Sequence, residues 1–440
     1  MTRQALFQFI EGWYNPDRDH SALGYASSVR YERAYVQAMR SKSFKLSTKT
    51  GVTPKWIRQP ADVRHEFVNS LKLADRAKSV LAVIPTRRFE MANLLVPVLG
   101  ILAALLIGAL LVLISGNNPL VAYNALLDGS FGSLYSTTFT LLRSVPLIIT
   151  AVGIAFALRA GILNLGAEGQ IYFGALGTTW AATVLLTDAP APLQAPVAIL
   201  IGVALGAAWG AIPGFLRAYL EINEIVVGIM LNFVAILTVS YFVQGPLARP
   251  NATYPQSYRI PETAMLPKII ENTQLTSSFI MALVVVVIMD VILRWNALGW
   301  RVRITGFNPK AAQYAGINPK RILVIAMVIS GALSGLAGSV EILGAQGVLV
   351  DNFSPGYGFE ALAVALLAQL SPIGVLPSAV FFSALRTGSS SLQRNAGIPA
   401  HLAFVIQALA VLSVVGFSGG TIKLYLGQTL QRLFGNRRLS

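Results

Sequence analysis

The sequence predicts an all-α polytopic membrane protein with about ten transmembrane helices, including a broken short pair near Pro372. Three observations predict this fold class. Hydrophobic residues make up 54% of the chain and charged residues only 12%, whereas a soluble domain carries about 25% charged residues. Apolar runs of about 20 residues, the length that crosses a bilayer, recur after Leu94. Basic residues collect in several connections between these runs, as on the cytoplasmic side of membrane proteins.

The first 90 residues differ from the rest, with 16 basic and 8 acidic side chains. We predict that residues 1–90 form a basic cytoplasmic extension. Residues 5–31 resemble the C-terminal end of insertion-sequence transposases, through the strings Phe9-Ile-Glu-Gly-Trp-Tyr-Asn-Pro16 and His20-Ser-Ala-Leu-Gly-Tyr25. The acidic catalytic triad of that family has no counterpart here. The resemblance therefore implies a gene-fusion remnant followed by a linker, and no nucleic acid is expected as a partner.

A transmembrane domain is predicted over residues 91–420, followed by a basic cytoplasmic tail over 421–440. Each predicted span is an apolar run, except that the two segments flanking Ser371-Pro372 are shorter than the others. The predicted spans are 93–115, 137–158, 166–187, 196–216, 225–244, 278–296, 322–346, 359–370, 373–387 and 399–417.

Charge in the connections orients these spans. The stretch from Arg294 to Arg321 carries six basic residues and no acidic one, so it is predicted to be cytoplasmic. The basic extension and tail are predicted on the same side, which requires an even number of crossings on either side of this stretch. The connections predicted to face outward are 116–136, 188–195, 245–277, 347–358 and 388–398.

Polar residues interrupt the apolar sequence at Asn164-Leu-Gly-Ala-Glu-Gly-Gln170. A charge at the centre of a spanning helix costs roughly 2.5–3.5 kcal/mol on insertion scales, so Glu168 requires a partner or a watery cavity. One interpretation is a broken helix lining a substrate pathway. The alternative is a helix N-terminus that Asn164 caps, with Glu168 complementing its dipole.

Other polar residues within the apolar segments extend this hypothesis. Asp290 and Glu341 are acids inside predicted spans, and each is either a pathway residue or a salt-bridged structural group. The candidate substrate-pathway residues are Asn164, Glu168, Gln170, Asn232, Glu341 and Glu360.

Two motifs lie at predicted cytoplasmic helix starts. Asn223 and Glu224 begin the span at 225–244, where Glu224 complements the helix dipole. Asn308-Pro309 begins a short helix that Gly316 ends. This helix is either a docking element or an ordinary loop turn. The candidate docking residues are Gly306, Asn308, Pro309, Ala311, Ala312, Gly316 and Ile317.

Catalytic chemistry has little support in the sequence. There is no cysteine and there are three widely spaced histidines, so neither a thiolate nucleophile nor a cysteine-based metal site is possible. No phosphate-binding loop of the form Gly-x-x-x-x-Gly-Lys-Ser/Thr occurs either. We predict no catalytic residue, no metal and no bound cofactor, and thus a protein that is not an enzyme by itself.

Taken together and in order, five motifs resemble ABC-importer permeases of the branched-chain amino-acid and simple-sugar class, and most closely the nucleoside permeases. The motifs are Asn164–Gln170, Asn223–Asn232, Gly306–Ile317, Ser330–Gly338 and Tyr357–Gly374. The resemblance spans about residues 92–420. It implies a multi-pass permease subunit in a bacterial inner membrane, with both termini in the cytoplasm.

The resemblance also implies partners. A separate ABC ATPase would hydrolyse ATP and receive Gly306–Ile317 as a coupling helix. A periplasmic or lipid-anchored protein would deliver the solute, and a second, related permease would complete the pore within the lipid. A simple-sugar permease is the nearest alternative in function. An ion-driven secondary transporter is the alternative from another class.

Overall fold

Helices form almost all of the regular structure in residues 88–418, the part of the chain that this computed structural model describes, with side chains described for residues 98–416. Three isolated β-bridges are the only strand-like pairings in that part. The α-helices are α1 (Arg88–Ile114), α2 (Pro119–Phe131), α3 (Leu134–Arg159), α4 (Ala167–Trp180), α5 (Ala191–Leu220), α6 (Glu224–Gln244), α7 (Ser278–Trp295), α8 (Ala297–Phe307), α9 (Pro309–Tyr314), α10 (Pro319–Glu341), α11 (Tyr357–Leu367), α12 (Pro372–Ala396) and α13 (His401–Ser418).

Five helices of the described part are long and apolar enough to cross a membrane: α3, α5, α6, α7 and α10 with its π-helical end at Gln346. Shorter apolar stretches occur at Val98–Ile114, in α11 and at His401–Gly416. The all-α polytopic prediction is confirmed, and the chain is a multi-pass membrane protein. The count of ten crossings remains a prediction.

The centre of the bundle is α10, which packs most extensively against α5 and also against α3 and α4. Close approach depends on glycine, because a Cβ on Gly335 would lie 2.6 Å from the carbonyl oxygen of Gly202 and 2.9 Å from the Cα of Gly206. The small residues of Ser330–Gly338 thus serve the tight helix packing that such residues favour in membranes. Helix α4 is buried along almost its whole length.

The connection predicted at 116–136 contains a helix, α2, that was not predicted. The Asn118 side chain caps this helix by accepting a hydrogen bond from the Leu120 amide, and Pro119 occupies its first turn. Its buried face, which includes Ala122 and Leu126, packs against α12. The start signal at Asn118-Pro119 is the one used to predict the short helix at Asn308-Pro309.

The segment predicted at 373–387 continues as a helix to Ala396, so the connection predicted at 388–398 is mostly helical. Gly388 provides room for α2, since a Cβ there would lie 2.7 Å from the Ser130 hydroxyl. The Ser130 hydroxyl also donates a 2.6 Å hydrogen bond to the Ala384 carbonyl.

The predicted break near Pro372 is confirmed. Helix α11 has only 11 residues, about 16 Å, roughly half the thickness of a bilayer core. Between it and α12, Gln369 and Leu370 adopt left-handed backbone angles with φ of 50° and 59°. Ser371 then caps α12 by accepting a hydrogen bond from the Gly374 amide. One member of the pair is therefore a half-length helix, and the other is full length.

The predicted domains at the two ends remain predictions. The extension at 1–90 lies outside the described residues except for its last three, which begin α1. The tail at 421–440 and the transposase-like residues 5–31 lie wholly outside them.

Candidate functional site

Asn164 lies at the centre of a buried amide network. Its Nδ2 donates 2.8 Å hydrogen bonds to Gln170 Oε1 and Ser330 Oγ, and its Oδ1 accepts from the Gly166 amide and from Gln170 Nε2, each at 3.1 Å. The proposed cap was wrong: Gly166 occupies the N-cap position of α4, without a side-chain bond. Asn164 instead joins the start of α4 to α10.

Asn232 makes a second link to the same region. Its Nδ2 donates to the Leu165 carbonyl and its Oδ1 accepts from the Gly169 amide, both at 2.8 Å. The backbone around the Gly-rich motif is thereby fastened to α6, since one amide side chain satisfies both a carbonyl and an N–H group. Both the oxygen and the amino group of this polar side chain, which lies in an apolar span, thus have a hydrogen-bond partner.

The buried carboxylate of Glu168 binds the amino end of another helix. Its Oε2 accepts a 2.6 Å hydrogen bond from the Gly358 amide, in the first turn of α11. Glu168 also lies in the first turn of its own helix, α4. Its negative charge therefore complements the positive ends of two helix dipoles, which is the partner that the sequence required.

The other end of α11 is held by Arg159, the last residue of α3. Arg159 Nε donates a 3.0 Å hydrogen bond to the carbonyl of Leu370, at the break before α12. The start of the half-length helix and the break that follows it are thus bonded to Glu168 and Arg159, the residues that flank the short connection between α3 and α4.

The two remaining acids of the candidate pathway, Glu360 and Glu341, each lie in a small cluster of polar side chains. Glu360 on α11 forms a 2.8 Å ion pair with Arg386 on α12, and both side chains are 15% exposed. Glu341 accepts hydrogen bonds from Gln346 Nε2 at 3.0 Å and from the Tyr357 hydroxyl at 3.4 Å. Each intramembrane carboxylate therefore has a donor.

A polar cavity of about 340 Å³ adjoins the cluster that contains Glu341. It lies between α3, the end of α10 and the non-helical segment that leads to α11. Six of its lining residues are Phe139, Arg143, Gln274, Glu341, Gln346 and Tyr357. Of the six predicted pathway residues, only Glu341 lines it. The predicted pathway residues of the amide network do not line this cavity, and their side chains are buried.

The sequence prediction missed Arg143 and Arg386. Both are basic residues inside predicted apolar spans, and such residues are rare enough to indicate a functional or paired site. The physical argument that made the acids of those spans candidates applies equally to cations. Arg386, which pairs with Glu360, and Arg143, which lines the cavity, are both recognisable in the sequence as basic residues within apolar runs.

The short helix predicted at Asn308-Pro309 is present as α9. The Asn308 side chain accepts hydrogen bonds from the amides of Lys310 and Ala311, at 3.0 and 3.2 Å, and Gly316 ends the turn with φ of 75°. Ala312, however, is fully buried, so it cannot form part of a docking face. A substitution at Ala312 would test packing rather than contact with a partner.

The exposed surface at α9 carries aromatic residues that the prediction did not include. Phe307 is 76% exposed and Tyr314 is 82% exposed. Ala311 and Pro309 lie exposed between them. Large apolar side chains on an otherwise polar and basic end of a protein are typical of an interaction surface. We call Phe307, Pro309, Ala311 and Tyr314 the aromatic knob.

The knob is joined to the helix bundle through a backbone contact. A Cβ on Gly161 would lie 3.2 Å from the Cα of Gly306, so the two glycines pass without side chains between them. Gly161 has φ of 86°, which glycine adopts at little cost. Helix α8, through Gly306 near its end, thus contacts the α3–α4 connection at Gly161.

The remaining predicted residues have structural partners. Asn223 lies at the start of α6 and caps it by accepting a 2.9 Å hydrogen bond from the Ile225 amide. Glu224 forms a 3.1 Å ion pair with Arg217 across the turn before α6. Asp290 pairs with Arg294 on α7 at 2.9 Å, which fits the structural alternative for this acid.

We expect Glu168→Leu to lower the free energy of unfolding by about 1–3 kcal/mol, because the buried Gly358 amide loses its acceptor. Glu168→Gln is the matched variant, since its amide oxygen can still accept that hydrogen bond, and we expect a smaller loss. Thermal melting of the purified chain in detergent would measure both. Equal melting temperatures for the Leu variant and the unchanged chain would contradict this role.

Residues 136–416 match the family described as the branched-chain amino acid transport system permease component. A guanosine ABC transporter permease protein of Bacillus subtilis is 33% identical, over 77% of this chain and 97% of its own. A nucleoside ABC transporter permease protein of Lactococcus lactis is 35% identical over 73% and 90%. A glucose ABC transporter permease protein of Haloferax volcanii is 35% identical over 72% and 86%. No solved structure matches the chain.

Proposed function

Because the chain belongs to the branched-chain amino acid transport system permease family, we propose that it is the membrane permease subunit of an ATP-driven importer of nucleosides. As an ABC permease it is a transport component. In this proposal it forms the translocation pathway, holds no ATPase site, and uses ATP that a separate ATPase subunit hydrolyses.

The observation that carries the proposal is the separation of two functional ends along α3. The polar cavity contains Arg143, near the first third of that helix, while Arg159 at its far end adjoins the region of the aromatic knob. At 1.5 Å per residue, the two ends lie about 24 Å apart. A solute-facing cavity at one end and a docking surface at the other is the arrangement that a pump driven by a separate ATPase needs.

The knob supplies the proposed ATPase contact. Phe307 and Tyr314 offer apolar surface that a groove in the ATPase would bury, and aromatic residues commonly dominate the energy of protein interfaces. This replaces Ala312 as the central contact, while Asn308 and Gly316 keep the proposed role of shaping the helix. In this proposal the protein lies in a bacterial inner membrane, and α8, α9 and both termini are on the cytoplasmic side.

The proposed pathway begins at the cavity and continues past the buried amide network. Glu341 lines the cavity. Glu360 follows in the first turn of α11, where it is paired with Arg386. Asn164, Glu168, Gln170 and Asn232 are buried in this conformation. They would meet the solute only after α11 and the α3–α4 connection shift, so they are proposed as pathway residues of another transport state.

Further partners are part of the proposal. A periplasmic or lipid-anchored solute-binding protein would deliver the solute at the cavity end. A second, related permease would complete the pore. The relative that carries glucose supports a simple-sugar importer as the second candidate function. Uptake of labelled guanosine and labelled glucose, in cells that lack and then regain this chain, separates the two substrates.

The same cells separate an ATP-driven importer from an ion-driven carrier. We expect uptake to stop when the partner ATPase is inactivated and to survive collapse of the ion gradients while ATP is maintained. The opposite pattern, or uphill transport by the purified chain alone in liposomes with an ion gradient, would refute the proposal.

We expect the double variant Phe307→Ser and Tyr314→Ser to lose most ATPase binding and to reduce uptake at least tenfold, since the knob loses its apolar surface. The measurement is copurification of the ATPase with the tagged permease, followed by uptake. The control is Tyr254→Ser, which removes a 60% exposed tyrosine from the connection at 245–277. Wild-type copurification of the ATPase with the double variant would remove the knob from the interface.

A further inference from the structure

We propose that the polar cavity at Arg143 is a solute-binding site within this single chain, and that it selects neutral solutes that carry both hydroxyl groups and a planar ring. This inference rests on the proposed function, which places the cavity and Glu341 on the pathway but names no residue that selects the solute. The cavity's volume of about 340 Å³ lies near the lower end of ordinary ligand pockets, roughly 300–1,000 Å³. A small solute of nucleoside size matches it.

Arg143 is a cavity residue whose guanidinium contacts an aromatic ring and no polar side chain. Its guanidinium lies 4.8 Å from the centre of the Phe139 ring, a distance at which the ring attracts the cation. Among side chains 98–416 it makes no hydrogen bond or ion pair. A guanidinium has five N–H donors, and the ring contact positions them without using them. Those donors are available to the oxygens or ring nitrogens of a solute.

The opposite wall provides acceptors and further donors. The Glu341 carboxylate is already held by Gln346 and by the Tyr357 hydroxyl, so its position is fixed before a solute arrives. Gln274 is fixed similarly, by a 2.9 Å hydrogen bond from its Nε2 to the Tyr135 hydroxyl. Hydroxyl groups of a solute can donate to such carboxylate and amide oxygens.

Charge and ring content determine the solute class. The lining contains one basic residue, Arg143, and one acidic residue, Glu341, so a solute with net charge would leave one side chain uncompensated in a poorly solvated site. Phe139, Phe353 and Tyr357 also line the cavity. Aromatic side chains favour a planar ring by stacking or edge contact. A sugar alone satisfies the polar wall but can pack only a non-planar C–H face against the aromatic one.

The position of the cavity explains how a solute reaches it. Gln274 belongs to the connection at 245–277, and Gln346 lies in the π-helical turn that ends α10. Both are far from the knob, at the opposite end of the helices. A solute arriving from the side that faces the binding protein therefore meets this cavity before the closed amide network.

Binding of tritiated guanosine to the purified chain in lipid nanodiscs tests the inference. We expect Arg143→Ala to weaken binding by roughly 10- to 100-fold, because hydrogen bonds to a charged donor are lost, and Arg143→Lys to lie between the two. Unlabelled glucose should compete about tenfold less well than guanosine, since it lacks a planar aromatic ring. Arg394→Ala removes an exposed arginine of α12 outside the cavity, and guanosine binding should stay unchanged.

The outcomes separate this inference from the proposed function. Equal guanosine affinity in Arg143→Ala and the unchanged chain would overturn the inference, even if the complete transporter still imports guanosine with ATP. Failure of the unchanged chain to bind guanosine would overturn it too, while ATP-dependent uptake would still support the permease role. Equal competition by glucose would overturn the solute class, and melting curves would show that each variant is folded.

Discussion

Replacing Arg386 with methionine is expected to lower the free energy of unfolding by about 3–5 kcal/mol, because removal of one member of a buried ion pair strands the charge of the other. The stranded group is Glu360, whose second carboxylate oxygen already lacks a partner in the described part of the chain. Arg386 also lies 5.8 Å from the ring of Tyr357, so its loss affects a second contact near the cavity. We expect little folded protein to reach the membrane.

The matched test is the double variant Glu360→Gln with Arg386→Met. It removes both charges, so the desolvation cost that destabilises the single variant disappears. We expect most of the lost stability to return, as measured by the amount of monodisperse protein that survives heating in detergent. A single variant as stable as the unchanged chain, or a double variant no better than the single one, would show that the pair has no such role.

Gly335→Leu is expected to prevent the central helices from packing. A Cβ at this position would already lie 2.6 Å from the Gly202 carbonyl oxygen and 2.9 Å from the Gly206 Cα. Backbone atoms cannot rotate away as a side chain can, so α10 and α5 must separate. Overpacking of a core typically costs about 1–3 kcal/mol, and three further carbon atoms beyond Cβ should exceed that range.

The control is Gly416→Leu in α13, where a Cβ would meet no atom within 4 Å. Both variants exchange a helical glycine for leucine, so any gain in helix propensity is shared. We expect the Gly335 variant to be lost from the membrane fraction and the Gly416 variant to accumulate normally. Similar yields of the two would mean that the helices can accommodate a side chain at Gly335.

Local chemistry was the part of this fold that the sequence could predict. Apolar length predicted the spanning helices, because hydrocarbon requires every backbone polar group to be satisfied within the helix. The caps at Asn223 and Asn308 and the break at Pro372 depend on neighbours a few residues away. The Asn-Pro start signal at Asn118-Pro119 is equally local, so the start of α2 was predictable from the sequence as well.

Pairing between distant segments could not be predicted in this way. Nothing local to Glu168 indicates that its carboxylate binds the Gly358 amide, because the two residues meet only after α4 and α11 pack. Burial has the same origin: Ala312 and Ala311 are adjacent and chemically identical, yet one faces the bundle and the other the solvent. A short helix has no long apolar period to show which side is inward.

The contact between Gly161 and Gly306 has a mechanical consequence. Side chains absorb small displacements by changing rotamer, whereas two backbones in direct contact have no such slack, and protein interiors compress very little. A displacement of α8 is therefore expected to reach Arg159 and, through its bond to Leu370, the break that follows α11. In the proposed transporter, movement imposed by a separate ATPase would arrive at that break, at the end of α11 opposite to Glu360 in its first turn.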